Sequence, residues 1–288
     1  MTALVLLISA TAAVLPAGAG EKALGLAKLM GAGMPVPVTV FIDGGRAIGT
    51  GMLDPEGCIS LADSAIHLIE AAIGCKLGEG DPPLSMALRC GDKSVDRRLP
   101  QSLINLGLIE GRAPAHLLSA RDQQLAAVLG RCGQVFDAAD WSELPPRRQI
   151  ARALQAVLRV LASCAGDADR GVLLQRMVYG DLDHRSCVGT AYTRNPYTNE
   201  PMDFGRYRTS MNGIALGALA PRDKQDLSEL AGEMPEAYRD LRSCFDRLER
   251  LHGTPRYVEF AVEAGRLWLL QNTLGNAKPI LPAQEDRR

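Results

Sequence analysis

The chain has 288 residues, of which 47% are hydrophobic and 23% are charged, as in ordinary soluble proteins with a substantial core. Its 32 Lys and Arg residues nearly balance its 33 Asp and Glu residues, so the formal net charge is −1. This balance argues against a nucleic-acid backbone as the main partner. The seven cysteines include no C-x-x-C pair and the four histidines are isolated. That pattern indicates neither a zinc site nor a disulfide framework, and it is typical of reduced thiols in the cytoplasm.

The first stretch, MTALVLLISATAAVLPAGAG, allows two interpretations. Its apolar run and its A-x-A-like ending at Ala17–Ala19 resemble a secretory signal. However, no Lys or Arg precedes the run, and the run is too short to span a bilayer. The favoured interpretation is a buried first strand followed by a Gly-rich loop, in a protein with no membrane partner.

Turn residues and periodicity predict alternating helices and strands in the first part of the chain. A helix is expected after Gly20 and is expected to end at 31–33, where Gly residues stop it. A strand is expected over 38–42 after two prolines, followed by a helix over 61–78 with Asp63 as its cap. Another strand is expected at Leu84 to Arg89.

The second part of the chain also mixes the two element types. Residues 98–145 are predicted to be irregular except for a helical piece near 120–131. A strongly amphipathic helix is expected to begin at Pro146. Strands are predicted within GVLLQRMVYGD and CVGTAYTRNPYTNEP, and a second amphipathic helix within MPEAYRDLRSCFDRLERLHG. Because no regular βαβ alternation occurs, the fold class is predicted to be α+β.

The segment YVEFAVEAGRLWLLQN, residues 257–272, predicts an antiparallel hairpin. With a three-residue loop around Gly265, Glu259, Gln271 and Tyr257 lie on one face. Glu259 and Gln271 are then either polar groups on the wet face of the sheet or a pair that holds a cation and its ligand. The hairpin alone leaves both interpretations open.

Several phrases occur in an order that is similar to a known family. They are GEKALGLAKLMGAGMPVP, ALRCGDK, SLINLGL, LLQRMVYGD, GTAYTRNPYTNE, MPEAYRDL and VEFAVEAGRLWLLQ. Together they resemble the ATP-grasp nucleotide-binding domain of the pyruvate phosphate dikinase and phosphoenolpyruvate synthase family. In that family this N-terminal domain binds Mg-ATP between two subdomains and phosphorylates a histidine on a separate swivelling domain. The chain is therefore expected to be this first module alone.

The resemblance implies an α+β, two-lobed ATP-grasp-like domain with a shortened helical insert. The N-terminal lobe is expected at 1–97 and the mostly helical insert at 98–165. The C-terminal lobe is expected at 166–280, followed by a tail at 281–288. No histidine lies in a stretch that resembles a phosphoacceptor loop, and His252 is placed at a helix C-terminus, where a cationic imidazole is favoured.

Three basic residues match the family's phosphate-binding positions. Lys22 follows Gly20 at a helix start, where backbone amides and an ammonium are expected to bind the same phosphate; the alternative is a solvated lysine. Arg89 ends an apolar strand, where its guanidinium is expected to grip phosphate oxygens; the alternative is a surface charge. Lys93 matches a further basic position. Lys22 and Arg89 are the expected catalytic residues.

Four more residues complete the expected ATP site. Gln175 and Met177 lie in the expected hinge between the lobes and are candidates for contacts with adenine, although Met177 fits ordinary core packing equally well. Glu259 matches the family's magnesium ligand, and Gln271 matches an amide near the phosphates, so these two are the candidate metal ligands.

The chain also departs from the family pattern. Tyr257 stands where the family has an acid, Thr273 where it has an arginine, and Arg206 where an acid is expected. SVDRRLPQS replaces a Gly- and Met-rich loop. The resemblance implies ATP as the ligand, and these departures predict that Mg²⁺ binding is weakened or lost.

Three functions remain open at this stage. The first is a degenerate ATP-binding domain that binds a nucleotide or related phosphate ligand with weak or no turnover. The second is an active phosphotransferase half that phosphorylates a histidine on a separate phosphoenolpyruvate-utilising partner. The third is a ligand-free scaffold or assembly protein.

Overall fold

The computed structural model of the protein describes residues 4–8, 15–16, 19–90, 102–131, 136–163, 170–209 and 225–275. Within these ranges, helices surround two antiparallel five-stranded sheets. The α+β fold class is therefore confirmed. No helix in the described part of the chain is long and apolar enough to cross a membrane.

The first sheet has one face covered by helices. Its strands, in spatial order, are β1 (Val5–Ile8), β2 (Thr39–Asp43), β5 (Gly171–Arg176), β3 (Met86–Cys90) and β4 (Ser102–Leu106). Alternate residues of the central strands, such as Val40, Leu88 and Leu174, pack in one apolar cluster with α3 (Pro55–Ile73) and α6 (Pro146–Ser163). The opposite face, which carries Arg89 and Gln175, is thereby left to meet the second sheet.

The second sheet has one apolar and one partly polar face. Its strands, in spatial order, are β10 (Arg266–Leu274), β9 (Arg256–Glu263), β6 (Cys187–Tyr192), β7 (Phe204–Thr209) and β8 (Gln225–Asp226). Val258, Phe260 and Val262 are fully buried in a cluster with residues of α8 (Pro235–His252). Since side chains alternate along a strand, Tyr257 and Glu259 point the other way.

The remaining elements are short or peripheral to the sheets. They are α1 (Gly20–Gly31), α2 (Gly44–Gly49), α4 (Ala115–Arg131), α5 (Ala138–Glu143), α7 (Leu230–Glu233) and a 3₁₀ turn at Leu227–Glu229. Of these, α1 packs against β10, and its Leu26 and Leu29 share an apolar cluster with residues of both sheets. Helix α1 thus brings its first turn to the junction of the two sheets.

The cap expected at Asp63 is wrong. Helix α3 begins after Asp54, whose carboxylate accepts a hydrogen bond from the Gly57 amide at 2.8 Å, and Pro55 occupies the first helical position. Asp63 lies inside the helix, where it pairs with Arg147. A residue directly before the first helical proline can accept a hydrogen bond from a free amide of the first turn. The amides around a residue inside the helix are already bonded.

The irregular segment expected at 98–145 contains a strand, β4, and a helix, α4, that is longer than expected. The strand was missed because Asn105, a polar residue at φ 59°, is buried within it. Its amide donates to the Leu117 carbonyl at 3.2 Å, which fastens β4 to α4. Strand β5 belongs to the range expected for the C-terminal lobe, 166–280, and lies in the middle of the first sheet. The boundaries of the lobes stay predictions.

The expectation of a favoured cation at His252 is wrong. Burial lowers the pKa of His252, and the positive charges of Arg256 and Lys28 lower it further. Arg256 Nε donates to Asn272 Oδ1 at 2.8 Å, so the Asn272 amide is oriented to donate to His252 Nε2 at 3.1 Å. A neutral imidazole fits this arrangement, because its Nε2 must accept.

Acidification is expected to destabilise the fold through His252. Since the folded pKa is below the unfolded value of about 6.5, the unfolded chain binds the proton first, and stability falls as pH drops below about 6.5. His252→Gln keeps an acceptor but does not titrate. Urea denaturation at about pH 7.5 and about pH 5.5 should show a smaller loss of unfolding free energy for the variant. An equal loss in both proteins would contradict this assignment.

Candidate functional site

The hairpin of β9 and β10 sets the geometry of the candidate site. Its loop has two residues, Ala264 and Gly265, both at positive φ (50° and 85°), whereas the sequence argument placed Glu259 and Gln271 on one face on condition of a three-residue loop. A β-bulge between Leu269 and Gln271 inserts an extra residue and brings Gln271 directly opposite Glu259. The predicted common face of Glu259 and Gln271 is therefore confirmed, because the bulge compensates for the shorter loop.

The next cross-strand pair on this face is formed by two of the residues at which the sequence departs from the family pattern that it resembles. Tyr257 lies directly opposite Thr273, one pair along from Glu259 and Gln271 on the same face, at a separation of about 7 Å along the strand. The Tyr257 ring packs edge-on against Tyr192, with centroids 5.1 Å apart. Burial raises the pKa of Tyr257 to about 12, with a contribution from the Glu259 carboxylate. Tyr257 is therefore a neutral phenol at pH 7.

Arg89 joins the two sheets at this face. The residue is 7% exposed. Its Nη1 donates to Gln175 Oε1 at 3.1 Å and to the Leu270 carbonyl, in the bulge, at 2.8 Å. Its Nη2 donates to Gln271 Oε1 at 3.0 Å and to Glu259 Oε2 at 3.5 Å. The structure thus brings together Arg89, Gln175, Glu259 and Gln271.

Lys22 approaches the same strand end from α1. Gly20, at φ 81°, begins the helix, a conformation that favours glycine. Two residues later, Lys22 Nζ donates to the carbonyl of Cys90, the residue after Arg89, at 3.1 Å. Lys22 is therefore bonded to the backbone next to Arg89, at the end of β3.

Met177, another of the sequence candidates, lies outside this group. Met177 packs in a small apolar cluster with Leu108, Leu117 and Tyr179, and its amide donates to the Ser85 carbonyl at 2.9 Å. Its packing therefore agrees with the core interpretation. Lys93 lies outside the described residues.

Sequence reasoning missed two groups that support the site and one ionic contact between the sheets that lies outside it. Thr39 on β2 accepts a hydrogen bond from Gln175 Nε2 at 2.8 Å, which fixes the amide so that its oxygen faces Arg89. The Leu270 carbonyl is a backbone group, and it is free to accept from Arg89 because of the bulge. No residue type in the sequence indicates this bulge. Glu263, an acid in an apolar strand, was the one visible signal.

Glu263 forms a second ionic contact between the sheets. Its carboxylate accepts from Arg176 Nη2 at 2.8 Å and from the Tyr179 amide at 2.9 Å. Arg176 ends β5 in the first sheet, and Tyr179 lies in the segment that leads from β5 to β6 in the second. This contact therefore holds the crossover between the sheets.

The oxygen atoms at the site do not fit Mg²⁺ in this arrangement. Magnesium prefers octahedral oxygen ligation, but the one carboxylate and the amide oxygen of the predicted pair both accept hydrogen bonds from Arg89. In the described ranges no group of three or more His, Cys, Asp or Glu residues is placed to hold a metal ion. The guanidinium takes the position between Glu259 and Gln271 that a cation would need.

The same residues fit an anionic group better. Lys22 bonds to the backbone at the end of β3, next to Arg89, so two positively charged residues belong to this strand end. Guanidinium and ammonium groups bind phosphate oxygens through charge-assisted hydrogen bonds.

Comparison with known proteins supports the resemblance. No family model matches the chain. It is 25% identical to pyruvate, phosphate dikinase of Rhizobium meliloti over 89% of this chain and 37% of that protein, and 24% identical to the Clostridium symbiosum enzyme over 92% of this chain and 37% of that protein. Against the chloroplastic enzyme of Mesembryanthemum crystallinum, identity is 32% over 44% of this chain and 14% of that protein.

Among solved structures, D-cycloserine synthetase DcsG superposes on 92% of this chain and 64% of its own, with a TM-score of 0.44 and 14% identity. A likeness at this level carries no argument about fold or function. The chain spans about a third of the length of the Rhizobium meliloti and Clostridium symbiosum enzymes. Over about 90% of its own length, it is similar in sequence to pyruvate, phosphate dikinases.

Proposed function

We propose that the chain binds a nucleotide or a related phosphate ligand in the cleft between its two sheets, with weak or no turnover. One observation carries the proposal. Lys22 bonds to the Cys90 carbonyl at the end of β3, and the neighbouring Arg89 contacts Glu259 and Gln271 of the second sheet. These residues come from α1, β3, β9 and β10, so the fold gathers into one place side chains that are distant in the sequence.

The proposal of weak turnover depends on the neighbouring pair. Tyr257 and Thr273 occupy the positions from which a second acid and an arginine would reach the same space. A neutral phenol does not neutralise a metal ion, and a threonine does not stabilise the charge that develops on a transferred phosphoryl group. Each loss removes several kcal/mol, as an order of magnitude, from transition-state stabilisation.

An active phosphotransferase half is the second candidate. The observation that favours it is the retention of Lys22, Arg89, Glu259 and Gln271 in one cleft. In that case the acceptor is a histidine on a separate protein, and the chain turns over Mg-ATP only with that partner present. Calorimetry with ATP, ADP and AMP, each with and without Mg²⁺, tests both candidates. Binding of no nucleotide would contradict both and leave the scaffold interpretation.

Replacing Lys22 by alanine should weaken triphosphate binding much more than adenosine binding, because the lost contact is to phosphate. A charge-assisted hydrogen bond predicts a loss of roughly 1.5–3 kcal/mol for ATP. Lys28→Ala is the matched control, since Lys28 is an exposed lysine on the same helix. Equal ATP affinities for Lys22→Ala and Lys28→Ala, at equal melting temperatures, would remove Lys22 from the site.

Restoring the missing charges should make nucleotide binding depend on Mg²⁺. In the double variant Tyr257→Asp/Thr273→Arg, the carboxylate adds a metal ligand and the guanidinium a phosphate contact. ATP affinity in Mg²⁺ should rise by roughly 1.5 kcal/mol or more. The uncharged double variant Tyr257→Asn/Thr273→Gln is the control for lost ring packing. If the two folded variants bind Mg-ATP equally, the hairpin is scaffold and not part of a phosphate site.

A further inference from the structure

The hydrogen bonds of Arg89 leave it little capacity for a ligand. Both hydrogens of Nη1 are used by Gln175 and Leu270, and both hydrogens of Nη2 by Gln271 and Glu259. The remaining donor, Nε, is buried. A phosphate therefore gains a hydrogen bond from Arg89 only if one of these internal acceptors is released.

Glu259 is the acceptor that is released most easily. Its contact with Arg89 is the longest of the four, at 3.5 Å, and its side chain is 33% exposed. The other three acceptors are held by buried surroundings or by the backbone: Gln175 is 2% exposed and bonded to Thr39, Leu270 contributes a main-chain carbonyl, and Gln271 contacts Arg89 at 3.0 Å. An ion pair of this length, with a partly exposed carboxylate, holds its acceptor less firmly than the three shorter hydrogen bonds hold theirs.

The charges of the four acceptors also single out Glu259. Of the four acceptors only Glu259 is anionic, so it both neutralises Arg89 and repels an approaching phosphate. When a phosphate replaces Glu259 at Nη2, the freed carboxylate stays close to the bound anion. Like charges a few ångströms apart in a partly buried cleft oppose binding.

We propose that Glu259 determines the ligand specificity of the cleft by competing with phosphate for the Arg89 guanidinium, so that a metal-free polyphosphate binds only by breaking the Arg89–Glu259 pair. This inference rests on the proposed phosphate-binding function and adds to it a discriminating residue. Glu259 acts through Arg89 as a positioning residue and makes no bond to the anion itself.

The chain provides a matched control for this role. Glu263 lies four residues along β9 and also pairs with an arginine of the first sheet, Arg176, at 2.8 Å. Arg176 and Glu263 hold the crossover between the sheets, and neither belongs to the Lys22–Arg89 group. Glu263→Gln therefore makes the same chemical change in an ion pair between the sheets without freeing Arg89.

The experiment is calorimetric titration of the whole chain with tripolyphosphate and with ATP, in EDTA to exclude divalent metals. Glu259→Gln should bind tripolyphosphate more tightly than the parent, on the order of tenfold, because the competing charge is gone while the side-chain shape is kept. Glu263→Gln should bind it like the parent. Adenosine, which carries no phosphate, should bind all three proteins equally.

A double variant shows whether the gain passes through Arg89. Arg89→Met/Glu259→Gln should lose the whole gain, since the guanidinium that Glu259 had occupied is then absent. Melting temperatures give a second measurement: tripolyphosphate should raise that of Glu259→Gln more than that of the parent. If Glu259→Gln does not fold, Glu259→Ala carries the same test.

The outcomes separate the inference from the function on which it rests. A parent that binds ATP or tripolyphosphate, with a Glu259→Gln variant that binds no more tightly, overturns the inference alone. A gain that persists in the double variant also overturns it. Absence of binding by the parent and by every variant overturns the proposed function and the inference together.

Discussion

The Arg89 guanidinium is the group around which the junction of the two sheets is arranged. A buried cation is costly unless its donors and its charge are satisfied, and both terminal nitrogens of Arg89 are satisfied by groups from three strands other than its own. Two features of the fold meet this requirement. The bulge at Leu270 supplies a carbonyl and aligns Gln271 with Glu259, and the pairing of β3 with β5 brings Gln175 alongside.

Tyr257, which stands where the family resemblance predicts an acid, contributes to packing. The Tyr257 ring contacts Tyr192, which in turn contacts Phe204 with ring centroids 5.8 Å apart. Edge-to-face aromatic pairs contribute about 0.5–1.5 kcal/mol beyond the apolar area that they bury. Position 257 therefore stabilises this face of the second sheet as part of an aromatic row.

Much of this arrangement follows from sequence, and the exceptions have physical causes. Apolar periodicity located α6 and α8 because their buried stripes are long and regular. Alternation placed Glu259 and Gln271 on one face for a three-residue loop. The loop has only two residues, but the bulge adds one residue to β10, so the two side chains still share a face. The sequence pattern does not show this bulge. Strand β4 escaped detection because a buried asparagine interrupts its apolar pattern. A pattern of residue types indicates which side chains are buried. It does not indicate which backbone carbonyls, such as that of Leu270, are free to accept a hydrogen bond from a side chain.

Residue matching to a family identified the members of the cleft, yet it could not show that they bind one another. Arg89 was assigned to phosphate and Glu259 to a metal ion, and in the structure each is the other's partner. This follows from placing opposite charges in one cleft: without a ligand, the lowest-energy partner of each is the nearest opposite charge.

The two ion pairs that the described residues form between the sheets differ in length and in exposure. The Arg176–Glu263 pair is short, at 2.8 Å, and Glu263 also accepts from the Tyr179 amide in the crossover. The Arg89–Glu259 pair is longer, at 3.5 Å, and its carboxylate is partly exposed. The ion pair that the proposed phosphate ligand has to break is therefore the longer and more exposed of the two, and the pair beside the crossover is the one that the ligand leaves intact.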